Sequence, residues 1–275
     1  MKILYTTDLH GDDWKFKLLV KAASHLKPDV VINGGDMLPK GDHLFRQKEY
    51  ISHQLSDHFK TFNDMGIYYL CYPGNDDLKI FDNLFEETCN KYPFTKYLAQ
   101  KKVKIGGYDF IGMNWVVDYP FRLKDRCRKD TKSYQVTNQF GTGLYSQDNG
   151  FKEIKDWKTY IETQPTIEDE LMNLEKPDDF TRAIYVVHMP PAHLGLDCCI
   201  NGERVGSIAV YDFIKNSQPK LTLHGHIHES PDVSGKWCAA VDKTICIQPG
   251  QGAALRDFVF ITVDLDTMDY QRRVE

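Results

Sequence analysis

Three apolar segments in the N-terminal third of the chain each stop at a loop that pairs glycine with an acid, an amide or a histidine. No other feature narrows the fold as much. The segments are Lys2–Thr7 (KILYTT), Asp29–Asn33 (DVVIN) and Ile67–Tyr72 (IYYLCY). The second is nearly all apolar, as a strand covered on both faces requires. Between them the spacing turns helical. Trp14, Leu18, Leu19 and Ala22 follow the first segment, with Asp12 or Asp13 placed to cap the helix. A polar, helix-prone stretch from about Leu44 to Met65 follows the second. Strand–helix–strand alternation predicts an α/β fold with parallel strands. The loops are Asp8-Leu9-His10-Gly11-Asp12, Gly34-Gly35-Asp36 and Pro73-Gly74-Asn75-Asp76-Asp77. In open α/β sheets, ligands collect beyond the carboxyl ends of strands. A single Asp there is ordinarily a cap or turn residue; three such loops in succession indicate a site.

The C-terminal half repeats the arrangement. Ala183–Val187 (AIYVV) reads as a strand that ends at His188, and Val205–Asn216 suits a helix. Lys220–Leu223 is a further strand candidate, and it runs into His224-Gly225-His226-Ile227-His228-Glu229. If that segment stays extended, His226 and His228 point to one side. Between the halves, Lys101–Asn114 predicts a hairpin turning at Gly106-Gly107. From Trp115 to about Phe180 no strand rhythm is evident, and one helix is expected near Thr166–Leu174, with Thr166 and Asp169 at capping-box spacing. Arg122, Lys124, Arg126, Arg128, Lys129 and Lys132 make the front of this segment basic, as either a solvated loop or a lid facing an anionic substrate. Lys236–Ala239, Thr244–Ile247, Phe258–Asp264 and a last short segment read as antiparallel strands.

Bulk properties set the outer limits. With 275 residues and neither repeats nor evident linkers, the chain is expected to form one domain, with a polar elaboration at about 115–180. A net charge of −5 argues against a general polyanion binder such as a nucleic-acid protein. No apolar run approaches the ~18 residues of a membrane span, and the N-terminus does not read as a signal peptide. Seven cysteines without regular spacing fit buried thiols in a reducing compartment, so a cytoplasmic protein is expected. His25, His43, His53 and His58 lie in helical stretches and read as surface residues; Cys71 reads as core.

Collected in order, the strand-end residues are Asp8 and His10, Asp36, Asn75 with Asp76, His188, and His226 with His228. Asp76 aside, two carboxylates, an amide oxygen and four imidazoles exceed the four ligands of one tetrahedral ion. They suit two ions sharing a carboxylate. Five motifs, Asp-x-His, Gly-Asp, Gly-Asn-x-Asp, His and Gly-His-x-His, stand in one order from Asp8 to about Gly252. In this the chain resembles the calcineurin-like metallophosphoesterase superfamily, with a narrower likeness to bacterial Icc-related phosphoesterases in Leu223–Ser230 and Gln248-Pro249-Gly250-Gln251.

The resemblance implies a four-layer α-β-β-α sandwich of two mixed sheets flanked by helices. It implies that Asp8, His10 and His228 hold one metal, that Asn75, His188 and His226 hold a second, and that Asp36 bridges them. Such a mixed shell suits manganese, iron, zinc, nickel or cobalt. The implied activity is hydrolysis of a small phosphate monoester or diester by metal-activated water. A metal-dependent nuclease on the same scaffold and a non-catalytic binding module are the alternatives. One position departs from the pattern: the family usually has His directly after the Asn, and here it is Asp76. Either Asp76 is a protonated acid, or His193 or His224 takes over, or the substrate needs little acid help. Tyr119-Pro120-Phe121 either lines the pocket or packs beside it, with packing favoured. The oligomeric state is left open by the sequence.

Overall fold

The computed structural model describes residues 1–41, 43–252 and 257–275. In chain order, β1 (Lys2–Thr6), α1 (Asp13–Leu26), β2 (Val30–Asn33), α2 (Gln47–Tyr50), α3 (Ser56–Met65), β3 (Tyr68–Cys71), α4 (Asp82–Asn90) and β4 (Thr95–Tyr97) come first. The middle holds β5 (Lys102–Ile105), β6 (Tyr108–Met113), β7 (Val116–Val117), β8 (Cys127–Arg128), β9 (Gly143–Gln147), β10 (Gly150–Ile154), α5 (Trp157–Glu162) and α6 (Ile167–Asn173). Then follow β11 (Ala183–Val187), α7 (Ile208–Ser217), β12 (Leu221–Leu223), α8 (Ser230–Ser234), β13 (Cys238–Val241), β14 (Thr244–Ile247), β15 (Val259–Asp264) and β16 (Asp269–Val274).

Two six-stranded mixed sheets result, ordered β16-β15-β1-β2-β3-β4 and β13-β14-β12-β11-β6-β5. Strands β1 to β4 are parallel, and so are β14, β12, β11 and β6; antiparallel strands sit at the edges. Side-chain alternation then sorts the apolar residues into three layers. Ile3, Tyr5, Val30, Ile32, Leu70, Phe110, Ile184 and Val186 fill the space between the sheets. Leu4, Val31, Tyr69 and Cys71 face α1, α3 and α4 through Leu19, Ala23, Phe59 and Phe85. Ile111, Met113, Tyr185 and Val187 face α6 and α7 through Leu171, Val210 and Ile214. Every parallel strand is therefore covered on both faces, which explains the unbroken apolar runs. The fold is the four-layer α-β-β-α sandwich.

Several sequence expectations are met in detail. Asp12 caps α1 by accepting the Trp14 and Lys15 amides at 2.9 and 3.4 Å. Thr166 and Asp169 close the expected capping box of α6. The hairpin β5–β6 turns at Gly106-Gly107. Cys71 is in the core, and all seven cysteines are free thiols, five of them buried, whereas Cys199 and Cys238 are only half-buried.

Others need correction. Trp14 lies 42% exposed, because α1 turns Phe16, Leu19, Ala22 and Ala23 inward instead. His58 is not a surface residue; it is buried on α3 among Phe16, Phe62 and Tyr69. His25, His43 and His53 are exposed as expected. The C-terminal strands are not one antiparallel set: β14 runs parallel to β12 in the second sheet, and β15 returns to pair with β1 in the first.

The segment 115–180 has more structure than its sequence suggests, and its basic stretch is neither a solvated loop nor a lid. Lys124, Arg126, Arg128 and Lys129 are buried. Lys124 Nζ donates to Asp118 at 2.9 Å, Arg126 to Asp82 at 3.1 Å, Arg128 to Glu170 at 3.1 Å and Lys129 to Glu162 at 2.8 Å. Three of the four cations meet carboxylates 33 to 44 residues away, and only Lys124 finds its partner nearby, which is why a local reading leaves most of this charge uncompensated. Arg122 and Lys132 alone of the six stay exposed.

Candidate metal centre

The carboxyl ends of β1, β2 and β3 in one sheet and of β11 and β12 in the other point to one place. The loops that leave them are stitched together by their backbones. Asp8 N–H donates to Gly35 O at 3.0 Å, His10 N–H to Asp36 O at 2.9 Å, and Gly225 N–H to His188 O at 3.0 Å. Across the two sheets, His226 N–H donates to both Asp8 carboxylate oxygens at 3.2 Å.

All seven candidate ligands converge here. His10 Nε2 and His228 Nε2 lie 3.1 Å apart, and His228 Nε2 is 3.3 Å from Asp8 Oδ1. With Asp36 these three residues place ligand atoms within 4.8 Å of one another. His188 Nε2 approaches Asp36 Oδ2 at 3.4 Å and Asn75 Oδ1 at 3.0 Å, while His226 Nδ1 meets Asn75 Oδ1 at 2.6 Å. Asp36 thus lies in contact with both donor groups. His226 and His228 reach the centre by a turn, not by an extended strand, since His226 has φ +70°.

The backbone at this centre is unusual. Asp8, His10, Asp36 and His226 all adopt left-handed φ, at +59°, +47°, +51° and +70°. Each costs roughly 1–2 kcal/mol against the usual conformations, and such strain collects where a site demands it. The motif glycines answer to crowding. A Cβ on Gly74 would sit 2.2 Å from Asp36 Oδ1, and one on Gly225 would sit 2.3 Å from Thr7 Oγ1 and 2.8 Å from Asp8 Oδ2.

The electrostatics suit a cation. Burial, offset only in part by Asp36, lowers His10 to about 3 and keeps its ring neutral; His10 Nδ1 is buried without a hydrogen-bond partner. Burial also lowers His226 to about 3. His188 is driven down by burial, but Asp36 and Asp8 overcome this and lift it to about 9. Burial raises Asp8, yet His228 and His188 outweigh that and bring it to about 2. Asp36 is likewise held well below the carboxylate range, against burial, by His188 and His10. His188 Nδ1 donates to Gly34 O at 2.7 Å, which turns Nε2 toward the centre. Ionised Asp8 and Asp36, imidazoles kept neutral at His10 and His226, and His188 and His228 rings that are drawn to hold a positive charge against those carboxylates together make a centre with net attraction for a borderline divalent ion.

Asp76 lies beside this cluster. Its amide donates to Asp36 Oδ1 at 2.8 Å, its Oδ1 accepts from Asn75 at 3.0 Å, and its Oδ2 is 3.9 Å from His10 Nδ1. Burial and the Asp36 charge raise it to about 7. Neither stand-in fits as well. His224 is fully buried and bonded to Val187 O, Met189 O and Thr222 Oγ1, so it braces the loop. His193 is exposed against Tyr211. Tyr119 packs its ring 5.9 Å from that of His226, so it lines the centre, whereas Phe121 is exposed.

Sequence reasoning gave no role to the residues that hold the loops. Asp77 accepts the amides of Met37, Leu38 and Gly74 at 3.0, 2.9 and 2.8 Å. Gln248 Nε2 donates to Gly225 O and Ile227 O at 3.1 and 2.6 Å. Arg126 Nε donates to Gly74 O at 2.7 Å, and Asn114 Nδ2 to Pro73 O at 2.6 Å. Asp77 was legible as the second acid of its motif; the others act on distant carbonyls and leave no local signal.

Comparison with known proteins agrees with this architecture. The family model of the calcineurin-like phosphoesterases matches residues 1–230. No curated protein matches by sequence. One solved chain is similar with a TM-score of 0.64 at 18% identity, covering 99% of this chain and 98% of that one. The Thermus thermophilus protein TT1561 is similar at 0.60 and 17% identity, with 99% and 97% covered. A dimetal phosphatase from Danio rerio is similar at 0.52 and 10% identity, with 95% and 91% covered. At these identities the likeness is one of fold.

Proposed function

The chain belongs to the calcineurin-like phosphoesterase family and is a metal-dependent phosphoric ester hydrolase; on that premise we propose a dinuclear centre that hydrolyses a small phosphate monoester or diester. The position of Asp36 carries the reading. Its carboxylate lies in contact with both the Asp8, His10, His228 group and the Asn75, His188, His226 group. Asp8, His10 and His228 would hold one divalent ion, Asn75, His188 and His226 the other, and Asp36 both. Manganese, iron, zinc, nickel or cobalt suits these ligands. Bound there, such ions supply Lewis acidity toward a phosphate and lower the pKa of water.

The chain's own groups do the rest. The Gly34 carbonyl fixes the His188 ring, and Asp77 fixes the loop that carries Asp36. Asp76, raised to about 7 by burial and Asp36 in the metal-free centre, is placed beside Asp36 and His10 to serve as the acid at the leaving oxygen. Asp36 would be catalytic as well as a ligand. The basic stretch satisfied by internal carboxylates favours a small ester over nucleic acid, since polymer binding needs clustered free cations. The strands supplied to the first sheet by both ends of the chain favour one domain, with 115–180 as an elaboration. Seven free thiols favour a reducing, cytoplasmic setting. No helix among the described residues is long and apolar enough to cross a membrane.

The test is hydrolysis of a bis-aryl phosphate diester and an aryl monophosphate by metal-stripped protein before and after manganese is restored. Turnover that returns with manganese and is absent in Asp36→Asn is expected. Bound metal with no turnover of either ester would favour the binding-module reading.

A further inference from the structure

A row of aromatic rings leads outward from the candidate centre. The Tyr119 ring lies 5.9 Å from His226 and 6.0 Å from Phe121, and Phe121 meets Phe140 edge-on at 5.6 Å. Phe121 is 63% and Phe140 70% exposed. Two large apolar side chains held together in water, next to a polar centre, are an unfavourable surface for a protein to keep without use.

The support beneath them is rigid. Phe140 N–H donates to Pro120 O at 2.8 Å, and Leu144 N–H to Arg122 O at 2.7 Å, so the two segments are pinned side by side. Below, the Asp118 carboxylate accepts from Lys124 Nζ, Trp157 Nε1, Thr137 Oγ1 and Gln139 Nε2 at 2.9, 3.0, 3.2 and 3.0 Å. Tyr119 is fixed by its hydroxyl to Leu123 O at 2.8 Å, with Lys124 Nζ 4.8 Å from its ring centre. This buried polar network orders the backbone that presents both phenyl rings before anything binds, and preordering removes a cost from binding.

We propose that Phe121 and Phe140 form a stacking platform for the organic group of the substrate, and that this group carries a planar unsaturated ring, as in a nucleoside or aryl phosphoester. The proposal rests on the phosphoesterase reading for the placement of the phosphate. Continuity of the rings with His226 sets the occupant: a phosphate at the centre leaves its organic group alongside Tyr119 and outward toward Phe121. With the two phenyls at 84° to each other, a flat ring stacked on one meets the other edge-on, and both contacts are favourable whichever base or aryl group is offered.

The test is equilibrium binding to the manganese-loaded protein of two phosphonates that share one anion and resist hydrolysis, an adenosine phosphonate and a ribose phosphonate. In the wild type the adenosine compound should bind about tenfold more tightly, the scale of one base stacked on an aromatic ring. In Phe121→Ala/Phe140→Ala that preference should fall to about twofold or less, and Phe121→Leu/Phe140→Leu, apolar but not flat, should lose most of it as well. Both positions are exposed, so folding is checked simply by thermal melting. Equal affinities in the wild type, or a preference that survives both double variants, would overturn the platform. So would sedimentation in which the wild type is a dimer and the alanine variant a monomer, with the preference unchanged; a second copy would then be the occupant. A base preference in a protein that hydrolyses no ester leaves the platform standing and removes the catalytic reading, whereas hydrolysis without the preference does the reverse.

Discussion

His58 should make this protein acid-labile in a way that a single substitution removes. The residue is buried on α3, its ring 4.7 Å from Phe16, 4.9 Å from Phe62 and 5.1 Å from Tyr69, and its Nε2 has no hydrogen-bond partner. Burial alone lowers its pKa from 6.5 to about 3. The folded state therefore refuses a proton that the unfolded chain accepts. Its contribution to stability is intact above pH 6.5 and declines as pH falls from there toward 3, by about 1.4 kcal/mol per pH unit. Between about pH 7.5 and about pH 4.5 the loss is about 3 kcal/mol, a large share of the ~5–15 kcal/mol typical of a folded domain. Other groups titrate over this range, so the informative quantity is the difference between wild type and His58→Leu in urea unfolding at each pH. That difference should shift in favour of the variant by about 3 kcal/mol between the two pH values. A difference that stays constant would mean that His58 is solvated or has a hidden partner, and the packing described around α3 would be wrong.

Three further outcomes follow from the same structure. Asp118→Ala strands the buried Lys124 charge and should cost about 3–5 kcal/mol by thermal or urea unfolding, with only part of it recovered in Asp118→Leu/Lys124→Met, because Trp157, Thr137 and Gln139 lose the same acceptor; a double variant no better than the single would contradict this. Gly225→Ala forces a methyl group against Thr7 and Asp8, and a shift of that carboxylate by about 1 Å should lower turnover roughly 10²-fold; unchanged kcat would show that Asp8 needs no such placement. Asp76→Asn should keep its metal but change the pH profile: an acid of pKa about 7 is active below that pH and lost above it, so the variant should lack the alkaline fall in kcat. An unaltered profile would remove Asp76 from the chemistry.

The sequence revealed most where structure is local. Strand ends, the α1 cap, the α6 capping box and the β5–β6 hairpin depend on residues a few positions apart, and all were readable. The convergence of the seven candidate ligands was readable because each motif closes a strand, and strand order brings those ends together. What sequence concealed is non-local. Arg126, Arg128 and Lys129 looked like solvent-facing charge because Asp82, Glu170 and Glu162 lie 33 to 44 residues away. Helix α4 and strand β4, between Asp77 and Lys101, went unread for want of strong periodicity. His58 looked like a surface residue because its neighbours Asp57 and Lys60 are polar, whereas its own side of α3 also carries Phe59 and Phe62. The left-handed turn at His226 could not be inferred from an alternation rule that presumes an extended chain.

The catalytic reading proposed above depends on two metal ions sharing Asp36. It is tested most directly by titrating manganese into metal-stripped protein while following bound metal per chain and the electron paramagnetic resonance of the bound ions. The account predicts two ions per wild-type chain with a spin-coupled signal, because one carboxylate joins them, and loss of the coupling in Asp36→Asn. A single ion per chain, or two ions that remain magnetically independent in the wild type, would contradict it.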